Sequence, residues 1–431
     1  MSVVARFEIS GGARISGTIR PAGNKNAALA MLAATLLCDE PVRINNVPRI
    51  DDVGTMLDLL GELGAEVEQE GDQVAIDTNG IAPAPISSKL TTTIRASLLL
   101  AGPLLARFGE VQLPAPGGDV IGRRRNDPHW DALRQIGAEV VAHDGGWQLS
   151  RTHDRLRGAD VWLDEMSVMA TENLLLATVT AEGTTVIRNA ASEPSVEDLC
   201  RLLVSMGAEI DGIGSNRLTV TGVDGLHGGV GSCGPDYVEI GSFVALAAVT
   251  GGELRVGPVR HEELTLIRNK LAMIGIRTHA DGDDLCVPAD QDLRVRDDDG
   301  GVIPRLNESP WPGFPADLMP ITLVAATQAT GTVLLHQWMF ESRLYFTDRL
   351  IEMGARIILA DPHRAVVTGP AQLHGAALQS PDIRAGMAML IAALCAEGQS
   401  TIGNIAQIDR GYENIDQRLR ALGANVDRVD D

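Results

Sequence analysis

The chain has 431 residues, 45% of them apolar, and a formal net charge of −21 at pH 7. That length exceeds one ordinary core and predicts two or three domains with a sizeable interior. So acidic a field repels nucleic acid and anionic membrane surfaces, so any anionic ligand has to be captured by local cations.

Lysine occurs only at Lys25, Lys89 and Lys270, which leaves most cationic chemistry to arginine. Cys38, Cys200, Cys233, Cys286 and Cys395 show neither pairing nor metal-ligand spacing, and the nine histidines form no HExxH motif. Buried thiols in a reducing compartment and no metal are expected. The opening MSVVARFEIS lacks a basic segment followed by an apolar one, and no window reaches about 18 consecutive apolar residues. A soluble, cytoplasmic protein is the expectation, with neither membrane nor nucleic acid as partner.

Taken in order, the chain repeats one phrase six times: LGAEV at Gly64, IGAEV at Gly137, MGAEI at Gly207, IGIRT at Gly275, MGARI at Gly354 and LGANV at Gly423. A segment with apolar residues at helical spacing precedes each glycine, for example Val53, Met56, Leu57, Leu60 and Leu63. Most are followed by an alternating strand, a turn and a second strand, as in AEVEQEGDQVAID. Each glycine is therefore predicted to stop a helix in the left-handed region. Six such stops at one period identify six copies of one α/β unit.

Every unit also carries an Ala- and Leu-rich helix that is apolar nearly all round: 27–37, 94–107, 168–181, 243–249, 318–327 and 385–396. Such helices are buried on all sides. Polar residues open them: Asn24, Lys25 and Asn26; Thr93 and Arg95; Ser167; Asp236 and Glu239; Asp317; Asp382 and Arg384. Free N–H groups and the positive dipole end at helix starts favour anions. If two domains aim these starts at a shared cleft, six polar clusters meet there. Three units are expected in each of two lobes, 20–232 and 1–19 plus 233–431, with the strands around Phe7 to Ile19 pairing back into the second lobe. A repeat scaffold that binds a partner protein is the alternative, and it requires an exposed apolar stripe.

One stretch fits neither helix nor strand. Pro116 to His129, PGGDVIGRRRNDPH, combines glycines, Asp119 and the run Arg123, Arg124, Arg125, and predicts a mobile loop able to hold an anion and move a proton.

The motifs GNKNAALAML (23–32), TIRASLLLAGPLLARFG (93–109), PGGDVIGRRRNDPH, AEGTTVIRNAASEP (181–194), FPADL (314–318), FESR (340–343), DIRA (382–385) and IDRGYENID (408–416) resemble the enolpyruvyl transferase family, and within it the UDP-N-acetylglucosamine 1-carboxyvinyltransferases. The resemblance runs the whole chain in order. It implies an inside-out α/β barrel, two lobes of three α/β units each. It also implies transfer of the enolpyruvyl group of phosphoenolpyruvate to the 3'-hydroxyl of UDP-N-acetylglucosamine, the first committed step of peptidoglycan precursor synthesis, by a monomer without metal or organic cofactor.

The roles that the resemblance implies are these. Lys25, Arg124 and Arg410 hold phosphoenolpyruvate, with Arg384 beside them, and Asp317 takes the proton of the sugar hydroxyl, although an Asp before a buried helix is by default an N-cap. Asn26, Arg95, Ser167, Glu193, Glu239, Arg343 and Asp382 shape the sugar-nucleotide site or couple the lobes. Asp119 stands where most of the family carries a cysteine, the residue that fosfomycin alkylates, which implies resistance to that epoxide. A thiol is protonated at neutrality and a free aspartate is not, so donation by Asp119 requires proton uptake in the closed complex and a more acidic rate optimum. Glu165 and Ala316 depart from a basic residue and a threonine. They keep open two other readings, a transferase with another acceptor and a regulator that only binds the sugar nucleotide.

Overall fold

A computed structural model describes residues 5–119 and 121–430. Residues 1–4, 120 and 431, which include the start of the N-terminal stretch and one position of the 116–129 loop, lie outside the described residues. All six repeat glycines adopt the left-handed backbone: φ is 100° at Gly64, 94° at Gly137, 101° at Gly207, 87° at Gly275, 103° at Gly354 and 96° at Gly423. A Cβ at such an angle is strained, so glycine ends each helix at the residue where the chain turns into its strand.

Amphipathic helices precede these glycines: Asp51–Glu62, Asp127–Gln135, Pro194–Ser205, His261–Ala272, Thr347–Glu352 and Ile415–Ala421. After five of them comes an antiparallel hairpin, such as Glu66–Glu70 with Gln73–Asp77 or Ile357–Asp361 with Arg364–Gly369. After the sixth, the Asn425–Val429 strand pairs instead with Arg6–Ser10, in a register that sets Phe7 opposite Arg428 on one side and Ile402 on the other. Gly17–Ile19 runs parallel to Leu254–Val256. The N-terminal strands thus pair with strands far along the chain.

Among the described residues six small sheets form, five of four strands and one of three. The chain divides into two compact units. One comprises Gly23–Asp119 and Arg125–Gly234; the other comprises the chain up to Ala22, the short stretch ending at Arg124, and everything from Pro235. Each has its own apolar core. At the centre of the first lie the helices Lys25–Ala34, Ala101–Phe108 and Val168–Thr178, and at the centre of the second Tyr237–Val249, Met319–Thr327 and Ile383–Cys395. Burial runs unbroken from Tyr237 through Ala248 and from Ile383 through Leu394, and covers Ala101–Phe108 as far as Leu105. Each leucine so buried contributes roughly 1.5–3 kcal/mol, which explains why these helices lack a polar face.

Two local expectations need correction. The loop ends at Asn126, because Pro128 has its φ pre-set for a first helical turn and Asp127 favours the positive helix end; Asp127, Pro128 and His129 are already helical. Cys286 and Cys395 are partly exposed, whereas Cys38, Cys200 and Cys233 are buried. No helix of the described residues is long and apolar enough to cross a membrane.

Candidate functional site

In the unit that holds Gly23–Asp119, Asn24 caps the Lys25–Ala34 helix by accepting from Ala27 N at 3.0 Å. The helix start buries Lys25 and leaves Asn26 exposed. Lys25 Nζ lies 2.6 Å from Asp52 Oδ2, and both side chains are about nine-tenths buried. Asp52 sits in the first turn of the Asp51–Glu62 helix. Its DD pair reads in sequence only as a helix start, which is why its role escaped the sequence analysis.

Asp119 is half-buried in an irregular segment flanked by two glycines in the left-handed region, Gly118 at φ 104° and Gly122 at φ 120°. Arg95 reaches both ends of this segment. Its Nη2 donates to Arg125 O at 2.9 Å and to Asn126 Oδ1 at 2.8 Å, and a Cβ on Gly118 would lie 3.0 Å from Arg95 Cβ. Arg95 was expected to shape the nucleotide site or couple the lobes, and these contacts also tie it to Arg125, Asn126 and the backbone beside Gly118. Arg125 is paired with Asp164 at 2.9 Å and stands 3.8 Å from Glu165, so the unexpected acid has a cation beside it. These groups are exposed and their pairing is worth little.

Ser167 caps the Val168–Thr178 helix through a bond from Ala170 N. Glu193 occupies the cap position of Pro194–Ser205 without making a side-chain cap bond. Within the Val168–Thr178 helix lies Glu172, 1% exposed. Burial pushes its carboxyl well above the usual carboxylate range, and the charge of Glu193 adds to this. Asn173 Nδ2 meets His129 Nδ1 at 3.0 Å, while Asn173 Oδ1 accepts from Gly102 N at 2.8 Å. Glu172 and His129 were not singled out from sequence.

The second unit holds a buried ionic cluster. Asp317 lies in the 3-10 turn Ala316–Leu318, where the capping positions make no side-chain bond. The expected N-cap role is therefore not what places this carboxylate. Oδ1 accepts from Arg343 Nη2 at 2.6 Å and Oδ2 from Arg384 Nε at 2.9 Å. Asp382 caps the Ile383–Cys395 helix, accepting from Arg384 N at 2.8 Å and Ala385 N at 3.0 Å, and stands 3.5 Å from Arg343 Nη1. Two guanidinium groups thus hold opposite sides of one carboxylate, a geometry that fixes its plane.

Arg384 is 4% exposed. Burial opposes its charge, yet Tyr412, Asp317 and Asp236 together hold its pKa above the ordinary arginine range. Arg384 Nη1 and Arg343 Nε have no hydrogen-bond partner among the described residues. Buried cationic donors with capacity to spare suit an oxygen-rich anion. Arg343 is carried by a loop that Glu308, itself fully buried, anchors: Glu308 Oε1 accepts from Met339 N at 2.7 Å and its carbonyl from Trp338 Nε1 at 2.9 Å. Arg410 is half-buried and donates from Nη1 to Gln407 Oε1 at 2.8 Å.

Arg124 belongs by packing to this unit, where Glu341 accepts from Arg123 N at 3.1 Å and Ser342 N donates to Ile121 O at 3.1 Å. Glu239 was expected to shape the nucleotide site or couple the lobes. Its carboxylate accepts from Ala22 N at 2.9 Å and from Arg418 Nη1 and Nη2 at 2.9 and 2.7 Å, which ties the incoming chain to its own unit. Arg418 has no sequence signal beyond a helical charge. Among the described residues no group of three His, Cys, Asp or Glu is gathered as a metal site.

A sequence model of the family described as EPSP synthase (3-phosphoshikimate 1-carboxyvinyltransferase) matches residues 9–419. A UDP-N-acetylglucosamine 1-carboxyvinyltransferase from Bradyrhizobium diazoefficiens is 52% identical over 425 residues, 98% of each chain. One of the same name from Treponema denticola is 50% identical over 422 residues, again 98% of each. Among solved structures, the enolpyruvyl transferase NikO from Streptomyces tendae superposes with a TM-score of 0.88 at 24% identity over all of both chains. An EPSP synthase from Acinetobacter baumannii superposes with a TM-score of 0.76 at 18% identity, covering 99% of this chain and 100% of that one. At those identities the two structures speak for the fold alone.

Proposed function

The chain belongs to the enolpyruvyl transferase family, and we propose that it transfers the enolpyruvyl group of phosphoenolpyruvate to the 3'-hydroxyl of UDP-N-acetylglucosamine, releasing inorganic phosphate. The observation that carries this reading is identity of about half the residues, over 98% of the chain, to relatives bearing that enzyme's name. The reaction supplies a precursor of peptidoglycan, and the protein works in the cytoplasm, without metal or organic cofactor.

The chemistry requires a proton on the methylene carbon of phosphoenolpyruvate, a bond from the sugar oxygen to the neighbouring carbon, and departure of phosphate from the tetrahedral product with its bonding electrons. Asp119 delivers the proton to the methylene carbon and takes one back from it when phosphate leaves. Asp317 accepts the hydroxyl proton as the carbon–oxygen bond forms. Lys25, Arg124, Arg384 and Arg410 hold the phosphate and carboxylate of phosphoenolpyruvate, and one fully engaged cation lowers the barrier by on the order of 2–4 kcal/mol. The doubly held carboxylate of Asp317 supports its part of this assignment, because a base must be aimed before it can work. Asn26, Ser167, Glu193, Arg343 and Asp382 order the sugar nucleotide or the groups around it. Arg95 and Glu239 shape the same site or couple the lobes, Arg95 through its bonds to Arg125 and Asn126 and Glu239 through its bonds to Ala22 and Arg418. The aspartate in place of the loop cysteine makes the enzyme insensitive to fosfomycin.

Phosphate release from phosphoenolpyruvate, measured with and without UDP-N-acetylglucosamine from about pH 5.5 to 8, tests the reading. Release that depends on the sugar nucleotide supports it. Binding of the nucleotide without release, at every pH, overturns it in favour of a regulator. Glu165 and Ala316 favour a second reading, in which release appears only with a different acceptor sugar.

A further inference from the structure

Two parallel strands, Arg305–Asn307 and Gly331–His336, pair in a register that ends with Asn307 opposite His336. Their buried positions are Leu306 on one and Val333 and Leu335 on the other, and the next buried position on each is polar: Glu308 and Gln337, both fully buried. A carboxyl costs more to bury than the leucine it follows, so packing alone would place an apolar residue at 308. What Glu308 holds are the two loops that leave these strands.

From Glu308 the main chain runs through a turn, in which Ser309 N donates to Phe314 O at 3.1 Å and Gly313 N to Pro310 O at 2.8 Å, and reaches Asp317. From Gln337 it runs through Trp338 and Met339 to Arg343. The near ends of the two loops are joined by Glu308, whose Oε1 accepts from Met339 N at 2.7 Å and whose carbonyl accepts from Trp338 Nε1 at 2.9 Å. Their far ends are joined where Arg343 Nη2 donates to Asp317 Oδ1 at 2.6 Å. The second loop also grips a third piece of chain. Glu341 Oε2 accepts from Arg123 N at 3.1 Å, and Ser342 N donates to Ile121 O at 3.1 Å. A Cβ on Gly122 would lie 2.9 Å from Glu341 N, so glycine is what lets the two backbones come this close. One anchored loop, 337–343, therefore carries both the partner of Asp317 and the contacts that hold the chain just before Arg124.

We propose that Glu308 is a positioning residue for the transfer: through its carboxyl and its carbonyl it fixes the loop that sets Arg343 against Asp317 and keeps residues 121–123 in place beside Arg124. The proposal rests on the transferase reading above, in which Asp317 accepts the sugar proton and Arg124 holds phosphoenolpyruvate.

Three variants separate the contacts. Glu308→Met keeps the length of the side chain and removes the acceptor for Met339 N, whereas Glu308→Gln retains that acceptor. Trp338→Phe, at a side chain that is 49% exposed, removes only the bond to the Glu308 carbonyl. Each is compared with wild type for phosphate release, for melting temperature and for trypsin cleavage after Arg123 and Arg124, located by mass spectrometry of the first fragments. Glu308→Met is expected to lower kcat about tenfold and to speed cleavage at those two bonds about tenfold. Trp338→Phe should move both by about threefold, and Glu308→Gln should stay within about twofold of wild type in each. Wild-type values in Glu308→Met, equal losses in the Met and Gln variants, or a fall in kcat without faster cleavage overturns the proposal. So does faster cleavage at arginines throughout the chain with a lowered melting temperature, the signature of general destabilisation. If Glu308→Met does not fold, Trp338→Phe decides by the same two readouts, and wild-type values in it overturn the proposal. If the wild-type protein releases no phosphate with the sugar nucleotide, the transferase reading has failed and cleavage alone decides: acceleration confined to the bonds after Arg123 and Arg124 upholds Glu308 as the anchor, and unchanged cleavage overturns it.

Discussion

Arg343 Nη2 stands 2.6 Å from Asp317 Oδ1, with the arginine side chain 3% exposed and the aspartate 30%. The cation is thus the buried partner and the carboxylate keeps an open side, the arrangement expected when the arginine aims a base rather than neutralises it. Asp317→Asn keeps the shape and removes the basicity, and should lower kcat for phosphate release by about 10²-fold or more. Arg343→Lys keeps the charge but cannot supply the planar fork, and should lower kcat/KM by about tenfold. Wild-type rates in the Asn variant would remove Asp317 from the proton-accepting role.

The Lys25–Asp52 pair, buried at 2.6 Å, makes a separable prediction. Removing one member of a buried pair strands a charge and costs about 3–5 kcal/mol, whereas replacing both by apolar residues of similar size is often neutral. Asp52→Leu should therefore depress the melting temperature, and Lys25→Met with Asp52→Leu should restore it while phosphate release stays lost. Thermal denaturation and the phosphate assay on the same samples read both halves. Recovery of activity along with stability would show that Lys25 does not touch the substrate.

Asp119 is the position where the proposed chemistry and the family pattern part. A carboxylate is a far weaker nucleophile toward an epoxide than a thiolate. Incubation with fosfomycin should leave phosphate release unchanged with time and add no mass to the wild-type protein. Asp119→Cys should acquire both time-dependent inactivation and a covalent adduct on the new cysteine. Inactivation of the wild type with a modified Asp119 would contradict the assignment.

The features legible in the sequence are those that one residue imposes on its own backbone. Gly64 and the five glycines like it each hold a positive φ, so six helix ends were readable without knowledge of any contact. Asn24, Ser167, Asp236 and Asp382 were likewise readable at helix starts, since a cap acts within three residues. Asp317 stood at the same kind of position, where an N-cap is the default reading, and its partners Arg343 and Arg384 were not legible because they lie 26 and 67 residues away. The Glu239–Arg418 contact spans 179 residues and Tyr412–Ser242 spans 170, and no local rule pairs them. Pro128 was visible, but its effect depends on whether a helix follows, and the glycines and arginines before it suggested that none did.

Glu172 provides a test of the fold itself, independent of catalysis. It is 1% exposed, its Oε1 has no hydrogen-bond partner among the described residues, and burial together with Glu193 raises its pKa well above 4.5 in the folded chain. A carboxyl whose folded pKa is raised binds its proton more tightly in the native state than in the unfolded one. The stability associated with that proton is complete below the unfolded pKa of about 4.3 and declines as pH rises toward the folded pKa. Glu172→Gln is a neutral isostere and carries no such penalty. At pH 8 it should melt higher than wild type by about 2 °C or more, and near pH 4.5 the difference should shrink toward zero. Differential scanning calorimetry at the two pH values measures it. A gain of the same size at both would mean that the glutamine improves packing, and a loss at pH 8 would mean that the carboxylate of Glu172 is ionised and satisfied in the native protein.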